Sequence, residues 1–226
     1  MKGKWTLLVE DVPNYSISLR RMTNVTLNSF FNYYSPKPGD VLVELGAGVG
    51  NDVFIMNHHF GANFGIHALE AHPKTFDKLC LLVNRNSFKN ANCHDIAIAE
   101  KNGDIFIADT DNHSANQINS ENKGEKVTGL TMDSFVKKHN INKIDYIKIN
   151  IEGAEKGALQ GMGETLGIIS NIVVACHDKL APYYNNNPFF YTKDFVRGTL
   201  LEHNFMILDE IESDYHNTIY AKKRNG

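Results

Sequence analysis

From Val41 onward short apolar runs recur along the chain: "VLVEL", "FGIHALE", "NCHDIAIA", "DYIKINI" and "NIVVACH", with helix-like segments filling most of the intervals. This rhythm constrains the fold more than any other feature. An apolar run, a helix and another apolar run cannot close as a tight hairpin. The return path through a helix makes neighbouring strands parallel, and a parallel sheet needs helices on both faces. The helix-like segments include residues 75–84, 133–139 and 155–162. After them, "FMILDEI" and "NTIYAKK" stand close enough to pair as an antiparallel hairpin.

With 226 residues, 42% of them hydrophobic, one domain with a full core is the default. Residues 1–40 read as an N-terminal extension packed on a main domain of residues 41–226. In the extension, "WTLLVE" and "YSISLR" suggest a hairpin, and "VTLNSFFNYY" a short helix stopped by "SPKPGD". Residues 109–126, "DTDNHSANQINSENKGEK", are polar and Asn-rich, and read either as a functional lid or as disorder.

Several function classes are disfavoured. A net charge of −3 provides no basic field for a nucleic-acid backbone. Glu10 and Asp11 closely follow the short apolar run near the N-terminus, and no stretch approaches membrane-span length, so a cytoplasmic protein is expected. Cys80, Cys93 and Cys176 are scattered without CxxC spacing, and the histidines lack metal-ligand spacing. Neither disulfides nor a metal are expected.

"VLVELGAGVGND" reads as a strand, a glycine turn and a helix beginning near Asn51. Gly46, Gly48 and Gly50 allow close backbone approach to a ligand, and a helix start offers free N–H groups. The GxGxxG dinucleotide pattern is incomplete, because Asn51 holds its last position. Glu44 would sit unfavourably near a pyrophosphate, whereas S-adenosylmethionine (SAM) carries cationic groups. Glu70 ends the next strand, where a carboxylate can accept both ribose hydroxyls. That role suits NAD and SAM alike, so the residues point to an adenosine cofactor and separate the two weakly.

In "YIKINIEGAEKGALQGM", Tyr146, Lys148, Asn150 and Glu152 alternate with isoleucines, so polar groups share one face. Gly153 and Ala154 then lead into a helix, as at the end of a buried parallel strand. Taken with "LVELGAGVGND", "ALEAHPKTFDKL", "TMDSF" and the late "ACHD", this stretch resembles the FkbM-type SAM-dependent methyltransferases over roughly residues 40–222. The most specific point of likeness is "KINIEGAE" against the family's K-I-D-x-E-G-A-E. Asn150 stands where the family has aspartate, Ala175 where an acid often precedes the late histidine, and "EAHP" where it has E-P-x-P.

The resemblance implies a Rossmann-like class I methyltransferase fold of the α/β class. That fold has a seven-stranded, mostly parallel sheet with a C-terminal antiparallel hairpin and helices on both faces. It also implies methyl transfer, usually to a hydroxyl of a small molecule or glycan. Carried over, Glu44, Gly46, Ala47, Gly48 and Asn51 would line the methionine end of SAM. Glu70, with Ala71 beside it, would hold the ribose, and Asp95 and Ile96 would lie near the adenine.

An alcohol acceptor benefits from a base that removes its proton as the new bond forms. Glu152 and His177 are the candidates, each at the carboxyl end of an expected strand, where open α/β sheets bind ligands. Asn150 cannot be a base but can hydrogen-bond substrate or cofactor, and Lys148, further back, reads as an ion-pair partner. The aromatic stretch "YYNNNPFFY" reads as loop packing or an apolar wall for the acceptor. The alternatives are an NAD(P)-dependent oxidoreductase and a non-catalytic SAM-binding module.

Overall fold

In the computed structural model, residues 19–107, 124–213 and 216–224 are described. Most of the expected hairpin in the extension and most of residues 109–126 lie outside them; the last two residues of "YSISLR", Leu19 and Arg20, are helical and not a strand. In chain order the elements are α1 (Leu19–Phe30), β1 (Val41–Leu45), α2 (Asn51–Phe60), β2 (Gly65–Leu69), α3 (Pro73–Asn86), β3 (Ala91–His94), β4 (Ala97–Ile98), β5 (Gly103–Ile107) and β6 (Glu125–Leu130). Then come α4 (Met132–Lys138), β7 (Ile144–Ile149), α5 (Glu155–Gln160), β8 (Ile169–Cys176), α6 (Lys193–Glu202), β9 (Phe205–Glu212) and β10 (Asn217–Lys223).

Seven strands form one sheet in the order β3-β2-β1-β7-β8-β10-β9. The first five are parallel, and β10 runs antiparallel between β8 and β9. The expected sheet and its closing hairpin are therefore present. Central strands are buried on both sides: Leu42, Val43, Leu45, Ile147 and Ile149 all belong to the core. Phe54, Leu79 and Leu82 from α2 and α3 fill one face, and Phe135, Leu159, Val196 and Leu200 from α4, α5 and α6 fill the other.

The second sheet, β4-β6-β5, departs from the expectation. "NCHDIAIA" splits: Ala91–His94 pairs with β2, while Ala97–Ile98 leaves the main sheet and pairs with β6. β5 and β6 are short and partly exposed; β5 carries the three-residue apolar run Ile105–Ile107, and β6 only Val127 and Leu130. Gly129 lets them pass closely, because a Cβ there would lie 2.4 Å from the Ile105 side chain.

The extension's helix begins earlier than "VTLNSFFNYY" suggests and ends at Phe30. Beyond it the chain turns so that Phe31 and Tyr34 stack on Tyr146 of β7, at ring distances of 5.1 and 4.7 Å. The Tyr146 hydroxyl donates to the Phe30 carbonyl and that of Tyr220 to the Ser29 carbonyl, satisfying acceptors that the helix end leaves free. Among the described residues no helix is long and apolar enough to cross a membrane.

Folding also brings together three histidines that are far apart in sequence. His67, His94 and His139 surround Phe135 at the β2–β3 edge, with His67 Nδ1 3.1 Å from His94 Nε2. Burial, then mutual charge, lowers His94 to about 4, and burial also lowers His67 and His139. Unfolded histidine titrates near 6.5, so between about 6.5 and 4 the unfolded chain binds more protons. These histidines should therefore cost stability as pH falls through that window. Thermal unfolding at pH 7.5 and 5.0 should show the loss, and His94→Asn should shrink the difference between the two pH values.

Candidate active site

The parallel strands end at one edge, and there the chain encloses a cavity of about 310 Å³, within the range of small-molecule sites. The turn after β1 forms its floor. Gly46 and Ala47 N–H groups donate to the Leu69 carbonyl at 3.0 Å each, which holds the turn against the end of β2. Gly46 has φ +78°, and a Cβ there would lie 2.0 Å from the Asn150 carbonyl oxygen. The close approach of this turn to the end of β7 thus requires glycine.

Glu70 follows β2 and lines the cavity. Its Oε2 accepts the Gly48 N–H and its Oε1 the His72 N–H, each at 2.9 Å. Each carboxylate oxygen keeps capacity for another donor, as a ribose diol would supply. Burial raises Glu70 above the usual carboxylate range, although these backbone bonds pull against it. Ala71, Ile96, Ala97, Ile98 and Ile107 add an apolar strip, partly from the second sheet.

Beneath the turn lies a buried ion cluster. Lys148 of β7, 4% exposed, donates to Glu44 at 2.7 Å and also to Asp52 of α2. Thr26 of α1 donates to the other Asp52 oxygen at 2.5 Å, and the Phe30 ring lies 4.5 Å from the ammonium. Burial pushes Glu44 up to about 7 despite Lys148. Burial also pushes Asp52 upward, but the Lys148 charge and hydrogen bond, with Thr26, bring it below its ordinary value. Lys148 stays protonated because its two carboxylates outweigh its burial.

At the end of β7, Asn150 and Glu152 both reach the cavity. Asn150 Oδ1 is buried and has no hydrogen-bond partner, an unsatisfied acceptor beside the cavity. Glu152 adopts φ +53°, a conformation uncommon for a residue with a side chain. Burial raises its carboxyl, with His177 opposing. His177, 2% exposed, stands behind Glu152: its Nε2 is 3.6 Å from Glu152 Oε1, and its Nδ1 is 2.7 Å from Glu155 Oε1. Gly153 is pressed under Phe189 and Phe190, so the aromatic stretch borders this end of the site.

Of the residues singled out from sequence, Gly46, Ala47, Gly48, Asn51, Glu70, Ala71, Ile96, Asn150 and Glu152 line the cavity. Three do not. Glu44 is 1% exposed and turned into the ion cluster, and Asp52 provides the wall carboxylate at that end. Asp95 is exposed, because the chain kinks there between the two sheets. His177 is enclosed behind Glu152. Sequence reading missed Asp52 and Glu155; their signals were a carboxylate one residue into the helix after the glycine turn, and a second glutamate three residues after Glu152.

A family model described as the methyltransferase FkbM domain matches residues 1–207. No curated protein matches the chain. Among solved structures, the FkbM methyltransferase of Methylobacillus flagellatus KT is similar at TM-score 0.60 and 13% identity, over 84% of this chain and 45% of that one. The chain thus spans about half the length of that relative. The O-methyltransferase of Bacillus cereus, in complex with SAH, aligns at TM-score 0.56 and 13% identity over 95% and 85% of the two chains. Aeropyrum pernix fibrillarin with natively bound S-adenosyl-L-methionine aligns at 0.53 and 15% over 88% and 76%.

Two expectations follow from the geometry. Gly46→Ala should lose several kcal/mol or fail to fold, whereas Gly48→Ala, with φ +55° and open space at its Cβ, should cost only about 1–2 kcal/mol. Lys148→Met should cost about 3–5 kcal/mol by leaving buried carboxylates uncompensated. Urea unfolding midpoints check both.

Proposed function

The chain belongs to the FkbM family of SAM-dependent methyltransferases, with S-adenosylmethionine as methyl donor, and we propose that it methylates a hydroxyl oxygen on a small molecule or glycan. The observation that carries this reading is the pairing of Glu152 with Asn150 on one wall of the cavity. The one is a carboxylate of raised proton affinity, the other an amide whose oxygen has no partner.

In this reading Gly46, Ala47, Gly48, Asn51 and Asp52 surround the methionine end of the donor, Glu70 and Ala71 its ribose, and Ile96 and Ala97 its adenine. The unpartnered Asn150 oxygen and the Asp52 carboxylate fit a cationic ligand, and Glu70 fits a diol. Bound there, SAM supplies a methyl group already activated on a sulfonium. The chain then has to align the acceptor and remove its proton. Glu152 takes that proton, Asn150 orients the acceptor or the donor's amine, and His177 acts from behind Glu152. The acceptor approaches past Phe189.

The extension over residues 1–40 serves as an accessory to the domain of residues 41–226, bracing Asp52 through Thr26. We place the protein in the cytoplasm, without a nucleic-acid partner, on its charge of −3 and sequence pattern. A nicotinamide dinucleotide fits less well, because Asp52 would face its pyrophosphate. Asn150 in place of an acid favours one other reading, a SAM-binding module without catalysis.

Calorimetry should show binding of SAM and S-adenosylhomocysteine but not NAD, and Glu70→Ala should weaken SAM by about 1.5–3 kcal/mol. NAD binding without SAM binding would overturn the donor assignment. Labelled methyl groups should pass from SAM into small-molecule or glycan fractions of a lysate; tight SAM binding with no transfer would favour the module.

A further inference from the structure

Glu155 is fully buried, yet it touches neither the cavity nor solvent. Its Oε1 accepts the Gly153 N–H at 3.0 Å and lies 2.7 Å from His177 Nδ1; its Oε2 is buried without a partner. A carboxylate so enclosed is costly to keep. The fold retains it one imidazole away from the one glutamate that lines the cavity at this end.

We propose that Glu155 is a positioning residue that holds His177 with Nδ1 protonated, so that Nε2 takes from Glu152 the proton that Glu152 removes from the acceptor. This rests on the methyl-transfer reading above. The local geometry brings the three groups together. The left-handed conformation of Glu152, continued by Gly153 at φ +100°, reverses the chain at the end of β7. Glu152 and Glu155, three residues apart, thereby approach the same ring, which follows directly on the neighbouring strand β8.

The balance is simple. The acceptor oxygen gains the methyl group as the sulfur–methyl bond breaks to leave S-adenosylhomocysteine. The hydroxyl proton passes to a Glu152 oxygen and on to His177 Nε2. Glu152 ends as carboxylate and His177 as imidazolium between two carboxylates, with net charge unchanged.

The charged surroundings favour that end state. Burial lowers His177, but Glu155, Glu152 and Asp178 raise it above its ordinary value overall. The other titratable group facing it, His216, has its ring 5.8 Å away and is lowered to about 4, chiefly by burial and then by His177, so it stays neutral and does not compete for the carboxylates. The same surroundings place the working form, with neutral His177, on the alkaline side of the His177 titration.

The test is a histidine NMR titration of the whole chain with ¹³C,¹⁵N-labelled histidine, with and without S-adenosylhomocysteine as probe. Wild-type His177 should titrate above 6.5 with its proton on Nδ1 in the neutral form. Glu155→Gln should lower its proton affinity at least tenfold, and Glu152→Gln should lower it measurably. Glu152 is part-exposed at the cavity wall, so its variant remains informative if Glu155→Gln fails to fold. Glu152→Gln leaving the His177 titration unchanged, or a neutral form protonated on Nε2, would overturn the relay. Calorimetry of the wild type with SAM separates the two readings: a coupled His177 titration without SAM binding keeps the positioning of His177 by Glu155 and overturns the methyl-transfer reading.

Discussion

Lys148 is a cation that the fold cannot release. It sits on the central strand β7, 4% exposed, between one carboxylate from β1 and another from the first turn of α2. Desolvating an ammonium costs several kcal/mol unless it is well paired, and both partners must be in place before it is. The cluster thus depends on the register of β1 against β7, on the seating of α2 after the glycine turn and, through Thr26, on α1. The cavity is lined from the ends of β1 and β7 and the start of α2 as well, so the ion cluster and the binding site share those elements.

The glycine turn works under the same constraint. Gly46 lies against the Asn150 carbonyl, which brings the end of β7 to the edge of the turn that cradles the ligand. One strand end therefore supplies the buried cation, the unpartnered amide oxygen and the strained glutamate in a run of five residues. Strain of this kind persists where surrounding structure over-determines it, here through Phe189 and Phe190 packed on Gly153 and through the Glu155 bond to the Gly153 N–H.

Much of this was legible in the chain. Apolar strands separated by helices fixed the parallel sheet, because few other arrangements can bury such runs. The glycine turn marked the cavity floor, but β7 ends at Ile149, so it is the turn after it, with Glu152 at φ +53°, and not the alternation in "YIKINIE", that brings Asn150 and Glu152 to the cavity. Lys148 read correctly as an ion-pair partner, but its partners did not. Glu44 was legible as an acid on β1, yet only three-dimensional packing shows that Lys148 turns it inward and leaves Asp52 at the wall. The His177–Glu155 contact joins residues from different elements, as does the His67–His94–His139 group, and no periodicity encodes either. The second sheet escaped notice because its strands are short and partly exposed, and its apolar run at Ile105–Ile107 is only three residues long. The resemblance to FkbM methyltransferases added fold and donor, and the 1–207 match bears the family out; the hydroxyl acceptor rests on the resemblance and not on that match.

The two tyrosine hydroxyls that cap α1 also impose an order of events. Phe30 waits for Tyr146, 116 residues downstream, and Ser29 for Tyr220, 191 residues downstream. At synthesis rates of roughly 5–20 residues per second, about 10–40 s separate the emergence of Ser29 from that of its partner. Over that interval α1, with an apolar side bearing Phe30, has no completed surface to rest on. The helix translated first among the described elements thus gains its partners in stages, Asp52 of α2 first, then Tyr146 of β7, and Tyr220 of β10 last.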